Sequence, residues 1–151
     1  REIAEKEGFT GEDGIDEYQA SIDERCVCKT EEELLDYYRA VAMNIMPQLP
    51  KLFGTLPRTP YGIRPIPAFA APHAPGAYYE PPPADLSTPG WFALNTYELE
   101  SRKTYIAEAL VAHEAVPGHH MQIALATENQ DLPIFRKYTY HTAYVEGWGL
   151  Y

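Results

Sequence analysis

The chain has 151 residues, 45% hydrophobic and 23% charged, with a formal net charge of −10. These figures suit one globular unit and exclude a disordered chain, and Lys and Arg too scattered to form a basic surface exclude a nucleic-acid partner. No apolar run approaches the roughly 18 residues of a membrane span, and no signal-peptide pattern opens the chain, so the expected location is the cytoplasm.

The first stretch, residues 1–26, is acidic with apolar positions at helical intervals and reads as surface helices. Cys26 and Cys28, one residue apart, are too close for an easy mutual disulfide and read as free thiols. Thr30 followed by Glu33 is a capping box, after which Leu34, Tyr38, Val41, Ala42 and Ile45 recur on one helical face; the helix should end before Pro47. From Pro47 to Pro89 proline is too dense for helix, and GIRPIPAFAA and GAYYEPPP read as edge strands and ordered loops. Trp91–Tyr97 (WFALNTY) reads as a strand. Tyr105–Val116 reads as a helix with Ile106, Leu110 and His113 on its inward stripe, interrupted at Pro117 and Gly118. Helical pattern resumes through His119, Gln122, Ile123 and Ala126 and fades in ENQDLP; a last helix is expected from about Pro133 to the end. The chain starts at Arg1 and stops at Tyr151 inside an aromatic, Gly-containing segment, and is expected to be a piece of a larger protein.

The segment richest in chemistry is HEAVPGHHMQ, His113 to Gln122, followed by VEGWGLY, Val145 to Tyr151. It resembles the zincin signature H-E-x-x-H, in which two imidazoles one helical turn apart bind Zn²⁺ and the Glu beside the first His activates water. Here the fourth residue after His113 is Pro117, which cannot ligate. Either the likeness is accidental, or the helix is deformed so that a later His takes the ligand position. Pro117 has no amide to donate to the His113 carbonyl and Gly118 tolerates unusual dihedrals, so a widened turn absorbing two residues would bring His119 into register. His120 would share the face of His113 in a regular helix but lie about 10 Å along it, too far for one ion. Glu146 is the candidate third ligand. Its neighbours Gly147 and Gly149 are poor helix formers unless close packing requires them.

These motifs resemble the DUF885 family, a group placed with the zincin metallopeptidases. Its pattern H-E-x-x-P-G-H-x-x-Q falls on His113, Glu114, Pro117, Gly118, His119 and Gln122, and its E-G-W on Glu146, Gly147 and Trp148. The likeness also runs through the FTGEDG region, YYRAVAMNIMPQLPKLFGTLPRTPYG, APGAYYEPP and FALNTY. The resemblance implies one zinc per chain held by His113, His119 and Glu146, with Glu114 as general base in hydrolysis of a peptide or small amide. Gln122 is expected to support a ligand from behind. Asn95 and Thr96, on the strand before the active helix, stand where zincins bind an extended peptide by strand addition. His120, Tyr144 and Tyr151 are expected at the substrate, and Tyr78 and Tyr79 are further candidate donors to a developing oxyanion.

The expected architecture is therefore α+β: a partial zincin-like catalytic domain over residues 1–151, with a small proline-rich sheet whose edge strand, Trp91–Tyr97, lies beside a helix broken at Pro-Gly, within a larger, mainly helical enzyme. The competing expectations are a noncatalytic zincin-like protein and a metallohydrolase of nonpeptide amides or esters. Glu114 speaks against the first, since a structural zinc site needs no base and fills its four positions with protein ligands.

Overall fold

The computed structural model describes residues 1–151 and has the α+β architecture. Two short helices, α1 (Glu2–Lys6) and α2 (Gly14–Arg25), lead into α3 (Glu31–Ile45). The capping box is complete: the Thr30 hydroxyl accepts from the Glu33 amide at 3.2 Å, and the Glu33 carboxylate accepts from the Thr30 amide at 3.3 Å. Leu34, Leu35, Tyr38, Val41 and Ala42 form the buried face of α3. The helix stops where Pro47 and Pro50 withdraw amide donors, and the chain tightens into a 3-10 turn over Met46–Lys51.

Three strands follow: β1 (Tyr61–Pro65), β2 (Ala77–Glu80) and β3 (Gly90–Leu94), in the order β1-β3-β2. β3 runs parallel to β1 and antiparallel to β2. Its alternation sorts the two faces: Phe92 and Leu94 join α3 in the main core, while Ala93 packs with Ile66 and Ala71 behind the sheet. The Phe92 ring meets Tyr38 edge-on at 5.7 Å. The expected edge strand Trp91–Tyr97 is thus corrected twice, since it is the central strand and it ends at Leu94. The chain turns at Asn95, whose Oδ1 accepts from the Tyr97 amide at 2.9 Å, an Asx turn that competes with continued pairing.

α4 spans Ala107–Glu114, α5 His119–Glu128, α6 Ile134–Tyr138 and α7 Thr142–Leu150. The inward stripe of α4 is Ala107, Val111 and Glu114; Ile106 is exposed and His113 half-buried. The small Ala107 and branched Val111 fit against α3 and Phe92, and this turns His113 sideways toward a cavity. The single last helix expected from Pro133 is two helices, because the weak helix formers Thr139, Tyr140 and His141 separate α6 from α7, Thr139 and His141 with extended backbone.

Candidate metal centre

The break between α4 and α5 has a measurable register. Ala115 leaves the helical region at φ −105°, ψ −102°, and Gly118 lies at φ −75°, ψ −129°. Across the gap the Met121 amide donates to the Ala115 carbonyl at 3.4 Å, a span of six residues instead of a helix's four. Two residues are therefore looped out, and His119 occupies the place that the fourth residue after His113 has in an unbroken helix. In a continuous helix the same two residues would have turned His119 away by about 200°. Gly118 is obligatory here: a Cβ would sit 1.9 Å from the His113 carbonyl oxygen and 2.4 Å from that of Ala112.

The loop places His113, Glu114 and His119 so that their potential ligand atoms all lie within 4.8 Å of one another. Glu146, on α7, completes the group. Its Oε2 is 3.4 Å from His113 Nε2, and its Oε1 is 3.7 Å from His119 Nε2, whereas Glu114 Oε2 stands farther off, at 4.0 Å from His119 Nε2. The two imidazoles meet edge-on with centroids 4.5 Å apart. The Glu146 distances are long for charge-assisted hydrogen bonds, but donors placed at about 2.0–2.2 Å around one tetrahedral ion are separated by about 3.3–3.6 Å. The residues therefore fit a small cation held by the two imidazoles and a carboxylate, for which both Glu114 and Glu146 stand within reach. One polar atom is left over: His119 Nδ1 is buried without a hydrogen-bond partner.

Each arm of α7 explains a residue of the EGWG run. Trp148 Nε1 donates to the Pro117 carbonyl at 2.7 Å, clasping α7 to the interhelical loop. Gly149 lets the helix backbone approach the imidazoles, since a Cβ there would stand 2.8 Å from His113 Cε1 and 3.2 Å from His119 Cε1; Gly147 has open space around it. Gln122 makes no hydrogen bond to His113, His119 or Glu146. Its Nε2 donates to the Tyr144 carbonyl at 3.2 Å, tying α5 to α7 and so fixing the helix that bears Glu146.

Burial dominates the electrostatics. It pushes the Glu114 carboxyl above its ordinary range, with Glu146 adding to the rise and His113 opposing it. Burial and then His113 lower His119, while the hydrogen bond from Tyr140, ahead of the two histidines, lowers Glu146. His120 is held down to about 4 by burial and is neutral at pH 7.

The expected substrate residues divide. Asn95 is fully buried and its amide donates to the carbonyls of Ala71, Ala74 and Pro75, so it is a scaffold residue that no substrate can reach. The Thr96 hydroxyl donates to Glu31 at 2.6 Å, also away from the cavity. His120 is likewise corrected: it is 1% exposed, with Nδ1 against the Tyr79 hydroxyl at 2.8 Å and Nε2 against the Thr59 carbonyl at 3.1 Å. Tyr144 and Tyr151 are exposed and do not line the cavity beside the histidines. That cavity, of about 340 Å³, has Ala77, Tyr78 and Tyr79 of β2 as one wall and Tyr140 and Glu146 as another. A larger apolar cavity of about 420 Å³, bordered by His120, Met43 and Met46, holds no ligating cluster. Sequence reasoning missed Tyr140, whose hydroxyl donates to Glu146 Oε1 at 2.8 Å.

The strand beside the site is β2, not β3. The Asn95 amide donates to Gly76 O at 2.9 Å, and by antiparallel alternation Tyr78 and Glu80 continue that ladder while Ala77 and Tyr79 turn their backbone groups to the unpaired edge.

Comparison with known proteins agrees with the motifs. The family described as "Bacterial protein of unknown function (DUF885)" matches residues 1–151. Among solved structures the chain is similar to one described as "The crystal structure of the putative lipoprotein from Colwellia psychrerythraea", with 29% identity and a TM-score of 0.87 over 98% of this chain. The chain spans 26% of that protein's length. No curated protein matches.

Proposed function

We propose that this chain, which belongs to the DUF885 family, carries the catalytic centre of a zinc-dependent hydrolase of peptide bonds. The observation that carries the reading is the convergence of His113, His119 and Glu146, with Glu146 Oε2 3.4 Å from His113 Nε2, the spacing of donors around one tetrahedral ion, and Glu114 beside them at 4.0 Å from His119 Nε2. A Zn²⁺ held there would supply Lewis acidity, polarising a carbonyl and acidifying water at the position the three ligands leave open. Glu114, on the same turn as His113, receives the water proton on its carboxylate and passes it to the leaving nitrogen.

The free edge of β2 supports a peptide substrate. Backbone groups of Ala77 and the carbonyl of Tyr79 on the edge beside the cavity can pair with an extended chain, while the Tyr79 amide is directed at the Glu114 carboxylate. The cavity, at about 340 Å³, suits a short segment of chain better than a folded protein. The cytoplasm remains our proposed location, with an exported, lipid-anchored form as the alternative raised by the description of the Colwellia protein; cell fractionation separates the two.

The test is Glu114→Gln in the full-length protein. The amide is nearly isosteric but cannot accept the water proton, so the variant keeps about one zinc per chain and loses hydrolysis of a mixed peptide library, read by mass spectrometry, by several orders of magnitude. Equal loss of metal and activity would make Glu114 structural, and wild-type protein that takes up no transition metal would end the catalytic reading.

A further inference from the structure

We infer that Tyr140 is a positioning residue for Glu146, fixing which carboxylate oxygen is presented to the cation; the inference rests on the metallohydrolase reading above. Three observations converge on it. The Tyr140 hydroxyl donates to Glu146 Oε1 at 2.8 Å, an oxygen that stands 3.7 Å from His119 Nε2, while the other oxygen, Oε2, makes the closer approach, 3.4 Å from His113 Nε2. Glu146 has a side chain 39% exposed, and beside the two imidazoles that approach it at 3.4 and 3.7 Å, Tyr140 makes the shortest hydrogen bond that holds its carboxylate. The backbone is also arranged for this contact. α6 ends at Tyr138 and α7 begins at Thr142, and the intervening residues swing Tyr140 into the wall of the cavity shared with His113, Glu114, His119 and Glu146.

A carboxylate can bind a cation through one oxygen or two. With Oε1 engaged by a phenol, Oε2 binds alone, and the donor set stays at three protein atoms with one position left for water. Without the phenol both oxygens can turn to the ion, which raises the coordination number and crowds the open position. Tyr140 thus acts through Glu146, and its removal should disturb the metal before any step involving substrate.

The experiment measures metal binding in full-length protein by competition with a chromophoric chelator, using Zn²⁺ for affinity and Co²⁺ for its visible spectrum. Tyr140→Phe keeps the ring and removes only the hydroxyl. The residue is 60% exposed, so the variant is expected to fold. We expect zinc affinity to fall by about 10- to 100-fold, the range for loss of a group that orients a ligand, and Co²⁺ absorption to lose the intensity of a four-coordinate site. In a Glu146→Ala background the same substitution should have no further effect, a result that a merely structural role for Tyr140 would not give. Tyr138→Phe, whose hydroxyl contacts neither Glu146 nor the cavity, serves as the control. Tyr140→Phe with zinc affinity within twofold of wild type and an unchanged Co²⁺ spectrum overturns the inference alone. Wild-type protein that binds neither ion overturns the metallohydrolase reading and the inference with it.

Discussion

Replacing Gly149 and Gly147 separately by alanine should have opposite effects, although the two lie two residues apart on one helix. Both have ordinary helical backbone without a positive φ, so alanine fits the conformation at either and by propensity alone stabilises by about 0.4–1 kcal/mol. At Gly147 nothing lies within 4 Å of the new methyl, and that gain should be realised. At Gly149 the methyl would stand 2.8 Å from His113 Cε1, 2.9 Å from Nδ1 and 3.2 Å from His119 Cε1. Carbon contacts are comfortable at about 3.5–4.0 Å, so helix and imidazoles must separate by about 0.7 Å. Overpacking of this kind costs about 1–3 kcal/mol. Because the groups displaced are two of the proposed ligands, the cost should appear in metal affinity, at about 1.4 kcal/mol per factor of ten, as roughly a 5- to 150-fold loss for Gly149→Ala and none for Gly147→Ala. Chelator competition gives the affinities, and urea denaturation of the metal-free proteins gives the stabilities. Zinc affinities within twofold of each other for the two variants would refute the claim that α7 is held against the imidazoles at this distance.

The adjacent histidines should separate by readout. His119→Ala should abolish tight zinc binding with little change in the metal-free fold, while His120→Ala should bind zinc nearly normally but lose about 1–3 kcal/mol of stability for each partner left unpaired, the Tyr79 hydroxyl and the Thr59 carbonyl; the reverse order would reverse the assignment. Glu128 gives a pH signature. Burial alone would raise its carboxyl, but the Thr59 hydroxyl and the amides of Thr59 and Arg58 outweigh it and hold the group below its ordinary 4.5. A depressed carboxylate stabilises above its unfolded pKa and loses that contribution as pH falls from 4.5 through the folded value, so Glu128→Gln should cost about 1–3 kcal/mol near pH 7 and flatten the acid limb of the stability curve. An unchanged acid limb would count against the clamp.

What could be read from the sequence was local. The Thr30–Glu33 box and the apolar face of α3 depend on residues within a few turns of each other, and so does the two-residue excess at Pro117-Gly118, because Pro and Gly constrain their own backbone. The sheet was another matter. Strands of four or five residues among prolines carry too short a period to show which is central, and β3 became the middle strand through β1, whose partners lie about thirty residues away in sequence. That error carried Asn95 and Thr96 with it. A buried Asn making three donor contacts and an exposed Asn awaiting a peptide look alike in sequence. Tyr140 was invisible for a related reason: among twelve tyrosines nothing marks one, until the split between α6 and α7 aims it at Glu146.

The side chains of the candidate metal centre all come from the helical stretch between His113 and Glu146, whereas the wall opposite them is made by Ala77, Tyr78, Tyr79 and Pro81 of the sheet region. The two halves meet across the cavity but have separate sequence origins. On the proposed reading, substitutions at Tyr78 or Pro81 can therefore reshape the wall facing the cavity without replacing any of the proposed ligands.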